Sequence, residues 1–215
     1  MTERSTLAAL TDALLSEEGE RRRIVAIAGS PGSGKSTTAE SLKERLNVRR
    51  PGVADILPMD GYHLDDMVLN ARGHRPRKGA PHTFDLDGFR AMLERLRRDE
   101  RREVAVPVFD RSIEIARAGA RIISPDVRII LAEGNYLLLD EAGWRDLAPL
   151  FDLTVMIEAS EDTLVERLTQ RWLGFDYGPE ALLEKLEGND LPNMRLVLSK
   201  SRPADISIRS DGGEA

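Results

Sequence analysis

Gly29-Ser-Pro-Gly-Ser-Gly-Lys-Ser36 is the stretch of the sequence that decides the fold. It matches the pattern G-x-x-x-x-G-K-[ST] in full and follows the apolar run Ile24-Val-Ala-Ile-Ala28. A short apolar run that ends in glycine is typical of a buried parallel strand, and residues 37–46 have the pattern of a helix. Between a strand and a helix, glycines let backbone N–H groups wrap around phosphate oxygens, and the helix N-terminus adds partial positive charge. The motif therefore predicts that the chain binds a nucleoside triphosphate.

The residues of this motif have distinct expected roles. Lys35 is expected to bridge the β- and γ-phosphates of ATP, Ser36 to ligate Mg²⁺ and Thr37 to reach the α-phosphate. The rest of the expected ATP site consists of Gly29, Ser30, Gly32, Ser33 and Gly34. The alternative is a chance turn rich in glycine and serine, which the flanking strand and helix disfavour. The motif alone does not distinguish a kinase from a GTPase or an ATPase.

The composition excludes several classes of function. The 215 residues have the size of one α/β domain, so residues 1–215 are expected to form a single P-loop domain. The absence of cysteine excludes disulfides, thiol catalysis and Cys-ligated zinc, and a net charge of −6 disfavours general nucleic-acid binding. The apolar runs are far shorter than the ~20 residues that span a bilayer, and the first 16 residues lack the apolar centre of a secretory signal. We therefore expect a cytoplasmic protein with neither a membrane nor a nucleic acid as partner.

Strand and helix patterns alternate along the chain. Strands are expected at residues 24–28, 53–57, 104–109, 127–132, 153–157 and 204–208, with a short extended piece at 121–124. Helices are expected at 6–15, 37–46, 85–98, 160–173 and 182–186, and residues 60–84 have the composition of a long functional loop that could contain a short helix. This alternation predicts a three-layer α/β/α P-loop NTPase fold with a mainly parallel five-stranded sheet. A mobile helical lid is expected around residues 167–176.

Two acidic residues follow expected strands at positions suited to phosphate chemistry. Asp60 follows the second strand, at the carboxyl edge of the sheet where ligands bind, and its carboxylate could orient an acceptor hydroxyl and take its proton. Asp-Gly is also a common turn, and the spacing alone does not separate the two interpretations. Glu133 ends an apolar strand, which is typical of an acid that holds Mg²⁺ directly or through water. An ordinary acid at a strand end is the alternative for Glu133.

Two basic residues and three histidines have more ambiguous patterns. Arg167 and Arg171 are four residues apart on one expected helix face and could close over the phosphates. A solvated face paired with acids of the same helix is the alternative interpretation. His63, His74 and His82 share one loop but lack metal-ligand spacing, so polar loop residues or substrate contacts are the expected roles.

Several blocks of the sequence together resemble a known family. In chain order, and after the phosphate motif, the blocks are Met59-Asp-Gly61, Arg77-Lys-Gly-Ala-Pro-His-Thr-Phe-Asp85, Pro107-Val-Phe-Asp110, Glu133-Gly134, and Asn189-Asp-Leu-Pro192 with Leu196-Val-Leu-Ser-Lys-Ser201. Over residues 24–208 the chain resembles the bacterial type I pantothenate kinase and uridine kinase group of P-loop kinases. It is similar above all to proteins labelled nucleoside kinase-like or fructose transport system kinase.

The resemblance implies an enzyme that uses ATP and Mg²⁺ to phosphorylate a hydroxyl group on a nucleoside, a sugar or a pantothenate-like metabolite. It implies that Asp60 orients the acceptor, that Lys35 and Arg171 neutralise the transferring charge, and that Pro203 lies near the adenine. Related kinases often dimerise, so a homodimer is also expected. The acceptor pocket implied by the resemblance contains Asp60, Tyr62, His63, Arg77, Lys78, His82, Phe109, Arg111, Arg171 and Asn189.

The chain also departs from the family pattern. Where pantothenate kinases carry a tyrosine and, two residues on, a histidine, this chain has Phe109 and Arg111, and Leu168 replaces another pocket tyrosine. The missing hydroxyl groups disfavour pantothenate, and Arg111 favours an acceptor with an anionic or densely polar group. A GTPase-like switch or a nucleotide-binding regulator is the alternative, since residues 85–88 read D-x-x-G. No N-K-x-D motif for reading guanine is present in the sequence.

Overall fold

The computed structural model describes residues 2–16, 19, 21–173 and 178–211. Within these residues the strands are β1 (Glu3–Arg4), β2 (Arg23–Ala28), β3 (Ala54–Pro58), β4 (Val104–Asp110), β5 (Ile115–Ile123), β6 (Ile129–Gly134), β7 (Leu153–Glu158) and β8 (Ile206–Arg209). The α-helices are α1 (Leu7–Ser16), α2 (Lys35–Arg49), α3 (Asp66–Ala71), α4 (Leu86–Arg98), α5 (Glu161–Leu173), α6 (Pro179–Lys185) and α7 (Leu191–Lys200). No helix among these residues is long and apolar enough to cross a bilayer.

A parallel sheet forms the centre of the molecule, with strand order β1-β8-β7-β2-β6-β3. Strands β2 and β6 lie side by side in its middle and are almost entirely buried, which explains why both read as continuous apolar runs. The predicted parallel sheet is confirmed, and it has one strand more than the five expected. The extra strand β1 has only two residues, both exposed, so no apolar pattern in the sequence marks it.

Two apolar layers cover the two faces of the sheet, so the three-layer architecture is confirmed. On one face, Leu10 of α1 and Leu42 of α2 pack with Val25 and Ile27 of β2. On the other face, α4 and α7 pack against the alternate residues of β2 and β6, among them Ala26. Alternate residues of each strand face opposite layers because successive side chains of a strand point to opposite faces of the sheet.

Helix α7 is an element that the sequence pattern did not predict. It follows α6 through a π-helical turn at Leu186–Asp190, and Pro192 occupies its first turn, where the missing N–H costs nothing. The sequence Asn189-Asp-Leu-Pro192 reads as a loop because proline usually ends a helix. Residues 174–177, at the end of the expected lid, lie outside the described part of the chain.

The strands β4 and β5 form a separate antiparallel hairpin rather than part of the central sheet. Val104, Val106 and Ile123 bury the base of the hairpin in the core, whereas most of β5 is exposed. The hairpin also approaches the main chain closely at Gly61, where an added Cβ would lie 2.4 Å from the carbonyl oxygen of Pro107. Only glycine fits at position 61, and the contact holds the hairpin against the turn that carries Asp60.

A buried arginine ties the amino-terminal edge of the sheet to the loops around it. The side chain of Arg22 is 1% exposed and lies 3.3 Å from a carboxylate oxygen of Asp99. Its three guanidinium nitrogens donate to the carbonyl oxygens of Val127 at 3.0 Å, Leu96 at 3.4 Å and Ser124 at 3.2 Å. Burial lowers the pKa of Arg22 from its usual value, while Asp99 opposes that shift.

We predict that Arg22→Ala lowers the free energy of unfolding by about 3 kcal/mol, because three carbonyl groups lose their donor and the Asp99 carboxylate loses one of its ion pairs. Urea denaturation followed by circular dichroism measures this change. The matched control is Arg21→Ala: Arg21 is exposed and pairs with Asp152 at the surface, so its loss should cost less than about 1 kcal/mol. Equal losses for the two variants would contradict the structural role of Arg22.

Candidate active site

The loop between β2 and α2 has the shape of a phosphate cradle. Gly32 and Gly34 have φ angles of +83° and +84°, the left-handed region that favours glycine. At Gly29 an added Cβ would lie 2.4 Å from Ser33 Oγ and 2.9 Å from the carbonyl oxygen of Ile157, so the loop is packed too tightly for a side chain there. The loop leads directly into α2, a helix of 15 residues whose N-terminus carries partial positive charge.

Two side chains at the start of α2 converge on Glu133 at the end of β6. Ser36 Oγ donates to Glu133 Oε1 at 3.0 Å, and Lys35 Nζ lies 3.8 Å from the same oxygen. Burial lowers the pKa of Lys35, and burial raises the pKa of Glu133, while the attraction between the two charges opposes both shifts. Because little water screens this buried pair, its charges would interact strongly with a further charge placed beside them, such as a phosphate.

The oxygen atoms of Ser36 and Glu133 fit a magnesium ion. Mg²⁺ usually binds one or two protein oxygens and completes its shell with phosphate oxygens and water. Within the described ranges, no group of three or more His, Asp or Glu residues could enclose a metal by itself. A hydroxyl and a carboxylate 3.0 Å apart beside a phosphate cradle are therefore the donor set expected for Mg²⁺ bound together with ATP.

Asp60 lies in the turn that follows β3, and its Oδ2 accepts a hydrogen bond of 2.6 Å from Arg111 Nη2. It lines a cavity of about 500 Å³ together with Lys35 and Ser36, which we call the Asp60 cavity. The cradle and the candidate acid therefore face one space. The carboxyl ends of β2, β3 and β6 supply all of these groups, as expected for a ligand site of a parallel sheet.

Most residues expected in the acceptor pocket line the Asp60 cavity, together with Lys35 and Ser36 of the phosphate motif. Those present are Lys35, Ser36, Asp60, His63, Lys78, Phe109, Arg111, Arg171 and Asn189. Other lining residues were not predicted from the sequence, among them Arg75, Asn135 and Trp172. The position of Asn135 directly after Glu133-Gly134 is a signal that could have identified it.

A second cavity of about 630 Å³ adjoins the first and contains Gly34, Thr37 and Arg167; we call it the Thr37 cavity. Lys35 and Ser36 line both cavities, as do Phe109, Arg111 and Arg171. A molecule with a triphosphate could lie in the Thr37 cavity and present its terminal phosphate to the Asp60 cavity. The two spaces therefore suit a donor and an acceptor that meet at Lys35.

The two arginines of α5 have different surroundings. Arg167 donates to the carbonyl oxygen of Gly32 at 3.3 Å and to the Oγ and carbonyl oxygen of Ser210, both at 3.0 Å. It thus joins the cradle to the chain that follows β8, and it does not pair with acids of its own helix. Arg171 lines both cavities, and its burial lowers the pKa of its guanidinium, with Asp190 opposing the shift.

Four of the residues expected to contact the acceptor or the adenine lie outside the two cavities. Tyr62 is 7% exposed and packs in the core, with its ring 5.0 Å from that of Phe89. His82 is exposed and its ring contacts His74, while Arg77 donates to Asn193 Oδ1 at 3.2 Å from behind the cavity wall. Pro203 lines a separate groove between α7 and β8, which shares only Ser30 with the cradle.

His63 forms part of an aromatic wall in the Asp60 cavity. Its ring centroid lies 4.1 Å from that of Phe84 and 4.5 Å from that of Phe109. Its Nδ1 is 2.7 Å from the carbonyl oxygen of Asp60, so the ring also holds the turn that carries the candidate acid. Burial lowers the pKa of His63 from its usual value, which favours the neutral ring.

The comparisons with known proteins agree with this geometry. The family described as AAA domain matches residues 25–172. A candidate uridine kinase of Schizosaccharomyces pombe is 31% identical over 197 residues, which cover 88% of this chain and 84% of the relative. A pantothenate kinase of Listeria monocytogenes is 29% identical over 163 residues, 74% of this chain and 52% of the relative.

A solved structure is also closely similar. A candidate fructose transport system kinase of Silicibacter sp. TM1040 superposes with a TM-score of 0.87 and is 42% identical in sequence. The match covers 94% of this chain and 98% of the other. Both the fold and the family resemblance expected from the sequence are therefore confirmed.

We predict that acidification weakens the fold through His63. Because its pKa in the folded chain lies below the value of about 6.5 expected when unfolded, the unfolded chain takes up the proton first. The free energy of unfolding should fall as the pH drops below about 6.5, by up to about 1.4 kcal/mol per pH unit for this group.

Urea denaturation at a series of pH values measures the slope. His63→Gln should flatten it, and the control His82→Gln should change it less because that ring is exposed. A slope that His63→Gln leaves unaltered would show that other groups cause the acid sensitivity.

Proposed function

The chain belongs to the P-loop kinases of the pantothenate kinase and uridine kinase group, and we propose from this premise that it transfers the γ-phosphoryl group of ATP to a hydroxyl group of a small molecule. The observation that carries the proposal is that Lys35, Ser36 and Asp60 line one cavity. In the proposal, residues 1–215 act as one cytoplasmic kinase domain, and two copies form a homodimer. The net charge of −6 disfavours nucleic acid as the acceptor.

The cradle residues bind and orient the donor in the proposed reaction. Backbone N–H groups of residues 29–37 hold the phosphates of ATP, and Lys35 neutralises charge on the β- and γ-phosphates. Ser36 and Glu133 would hold Mg²⁺, which supplies further neutralisation of the triphosphate when it is bound. Arg171 faces the junction of the two cavities and stabilises the charge of the transferring group.

Asp60 orients the acceptor in this mechanism. Its carboxylate accepts a hydrogen bond from the acceptor hydroxyl and takes the proton as the oxygen attacks the γ-phosphorus. A bond forms between that oxygen and phosphorus, the bond from phosphorus to the β–γ bridging oxygen breaks, and ADP leaves with the electron pair. Because such transition states are loose, the position of Asp60 matters more than its strength as a base.

The GTPase-like alternative loses its main sequence argument. The D-x-x-G pattern at residues 85–88 caps α4, because Asp85 Oδ1 accepts a hydrogen bond of 2.9 Å from the N–H of Gly88. An added Cβ at Gly88 would lie 2.1 Å from Asp85 Oδ2, so the cap itself accounts for the glycine. A helix cap supports a local structural role for this pattern and favours the kinase proposal.

The test of the proposal is ATP consumption measured against a panel of pantothenate, nucleosides, and sugars including fructose. Turnover that depends on an acceptor and is lost in Asp60→Asn would support the kinase and name its acceptor class. ATP hydrolysis that is independent of any acceptor and insensitive to Asp60→Asn would move the assignment to a nucleotide-binding regulator.

We predict that Asp60→Asn lowers kcat by about 10²- to 10⁴-fold while nucleotide affinity stays nearly unchanged, because Asp60 contacts the acceptor rather than ATP. The amide oxygen can still accept from Arg111, so the fold should persist. Steady-state kinetics and titration with an ATP analogue measure the two quantities. The control is Asp55→Asn on β3, whose carboxylate pairs with Lys43 outside the cavities. Near-normal turnover in Asp60→Asn would remove Asp60 from the mechanism.

We predict that Lys35→Ala weakens both nucleotide binding and turnover, each by about 10²-fold or more, since Lys35 contacts the phosphates in the ground state and the transition state. Lys43→Ala, which changes a lysine of the same helix, should leave the affinity for the ATP analogue unchanged. If Lys35→Ala binds and turns over like the wild type, the phosphate cradle is not the ATP site.

A further inference from the structure

An ion pair in the Asp60 cavity competes with the chemistry proposed for it. Arg111 Nη2 lies 2.6 Å from Asp60 Oδ2, on the carboxylate that must accept the acceptor hydroxyl. The Arg111 side chain is 69% exposed and stands in the loop of the β4–β5 hairpin, whereas that of Asp60 is 22% exposed. Exposed pairs of this kind contribute little to stability, so a ligand can separate them.

Two other basic groups of the same cavity are already held by acids. Lys78 Nζ lies 2.6 Å from Asp66 Oδ1, and Arg75 binds both Asp66 at 2.7 Å and Glu114 at 2.9 Å. Among the described residues, Asp60 is the one group that Arg111 hydrogen-bonds. An acceptor that draws the Asp60 carboxylate away therefore leaves Arg111 without its present hydrogen-bond partner.

The cavity also offers groups that suit hydroxyls. Asn135 lines it, and its Oδ1 is buried with no hydrogen-bond partner among the described residues. A buried acceptor atom without a donor is unfavourable, and a ligand hydroxyl could supply that donor. Asn189 and Asn193 also line the cavity, but they hydrogen-bond to each other at 3.1 Å. The acceptor that fits these groups carries hydroxyls and one further group for Arg111.

We infer that the acceptor is a hydroxyl-bearing anion, whose carboxylate or phosphate ester group binds Arg111 and thereby releases Asp60. The inference deepens the proposed function and rests on it. An anionic acceptor replaces one ion pair by another and frees the acid at the same time. A neutral acceptor of the same skeleton must share the Asp60 carboxylate with Arg111, which holds Oδ2, and has nothing to offer the guanidinium. The Arg111–Asp60 ion pair thus favours a negatively charged acceptor over a neutral one.

Arg111 has a competing role that the test must separate. It also lines the Thr37 cavity with Lys35 and Arg171, where it could contact the γ-phosphate instead. If Arg111 contacts the γ-phosphate, its loss should lower kcat equally with every acceptor. A contact to an anionic acceptor would appear in the KM for that acceptor.

The experiment uses matched pairs of acceptors: glycerate and glycerol, gluconate and glucose, fructose 6-phosphate and fructose, ribose 5-phosphate and ribose. We expect at least one anion to exceed its neutral partner in kcat/KM by about 100-fold, the size of a charged contact worth about 3 kcal/mol. Whether carboxylates or phosphate esters are preferred identifies the anionic group. Arg111→Gln should raise the KM for that anion by about 30- to 100-fold, and Arg111→Lys should retain much of the preference.

The matched control is Arg117→Gln. Arg117 lies on the same hairpin, its side chain is 61% exposed and it pairs with Asp110 at 3.2 Å, but it lines neither cavity. Its loss should leave the preference for anions unchanged. A preference lost equally in both variants would mean that the hairpin position, rather than the charge of Arg111, is responsible.

Two results would overturn the inference while the kinase stands. One is a neutral acceptor that is used as well as its anionic partner, and the other is an Arg111→Gln variant in which kcat falls equally with all acceptors. If no acceptor of either kind stimulates ATP consumption and Asp60→Asn changes nothing, the proposed function fails and the inference falls with it.

Discussion

The parallel pairing of β2 with β6 is the constraint on which the site depends. The register sets Ile27 beside Glu133 and Ala28 beside Gly134, so the cradle begins where β6 presents its acid. Both strands are buried on both faces, and a slip of one residue would turn every side chain to the opposite face. Two apolar layers that pack on alternate residues therefore fix the distance between the phosphate loop and Glu133.

The sequence predicted those parts of the fold and the site that depend on residues close together in the chain. The cradle, the buried strands and the helix cap at Asp85 each depend on a few adjacent residues. The short strand β1 and the exclusion of the β4–β5 hairpin from the sheet depend on distant contacts, which no single segment encodes. For the same reason both Tyr62 and His63 were expected in the acceptor pocket from the sequence. In the structure Tyr62 packs in the core, whereas the neighbouring His63 lines the Asp60 cavity.

The site keeps charged groups where the protein alone satisfies them poorly. Burial disfavours the ionised forms of both Lys35 and Glu133, and removal of either partner from such a pair generally costs about 3–5 kcal/mol. Asn135 adds a buried oxygen that has no donor in the described part of the chain. Arrangements of this kind trade stability for a site that is already organised when the nucleotide and acceptor arrive.

The hairpin carries Arg111 on a part of the chain that the central sheet does not need. Its base is anchored in the core, and the contact between Gly61 and Pro107 fixes its height above Asp60, but its loop, residues 111–114, is exposed. If Arg111 binds the acceptor as proposed, substitutions in that loop would change which acceptor is recognised without disturbing the cradle or the strands. Acceptor choice and phosphate chemistry would then be separable traits in evolution, and relatives that share the cradle could diverge in the metabolite they phosphorylate.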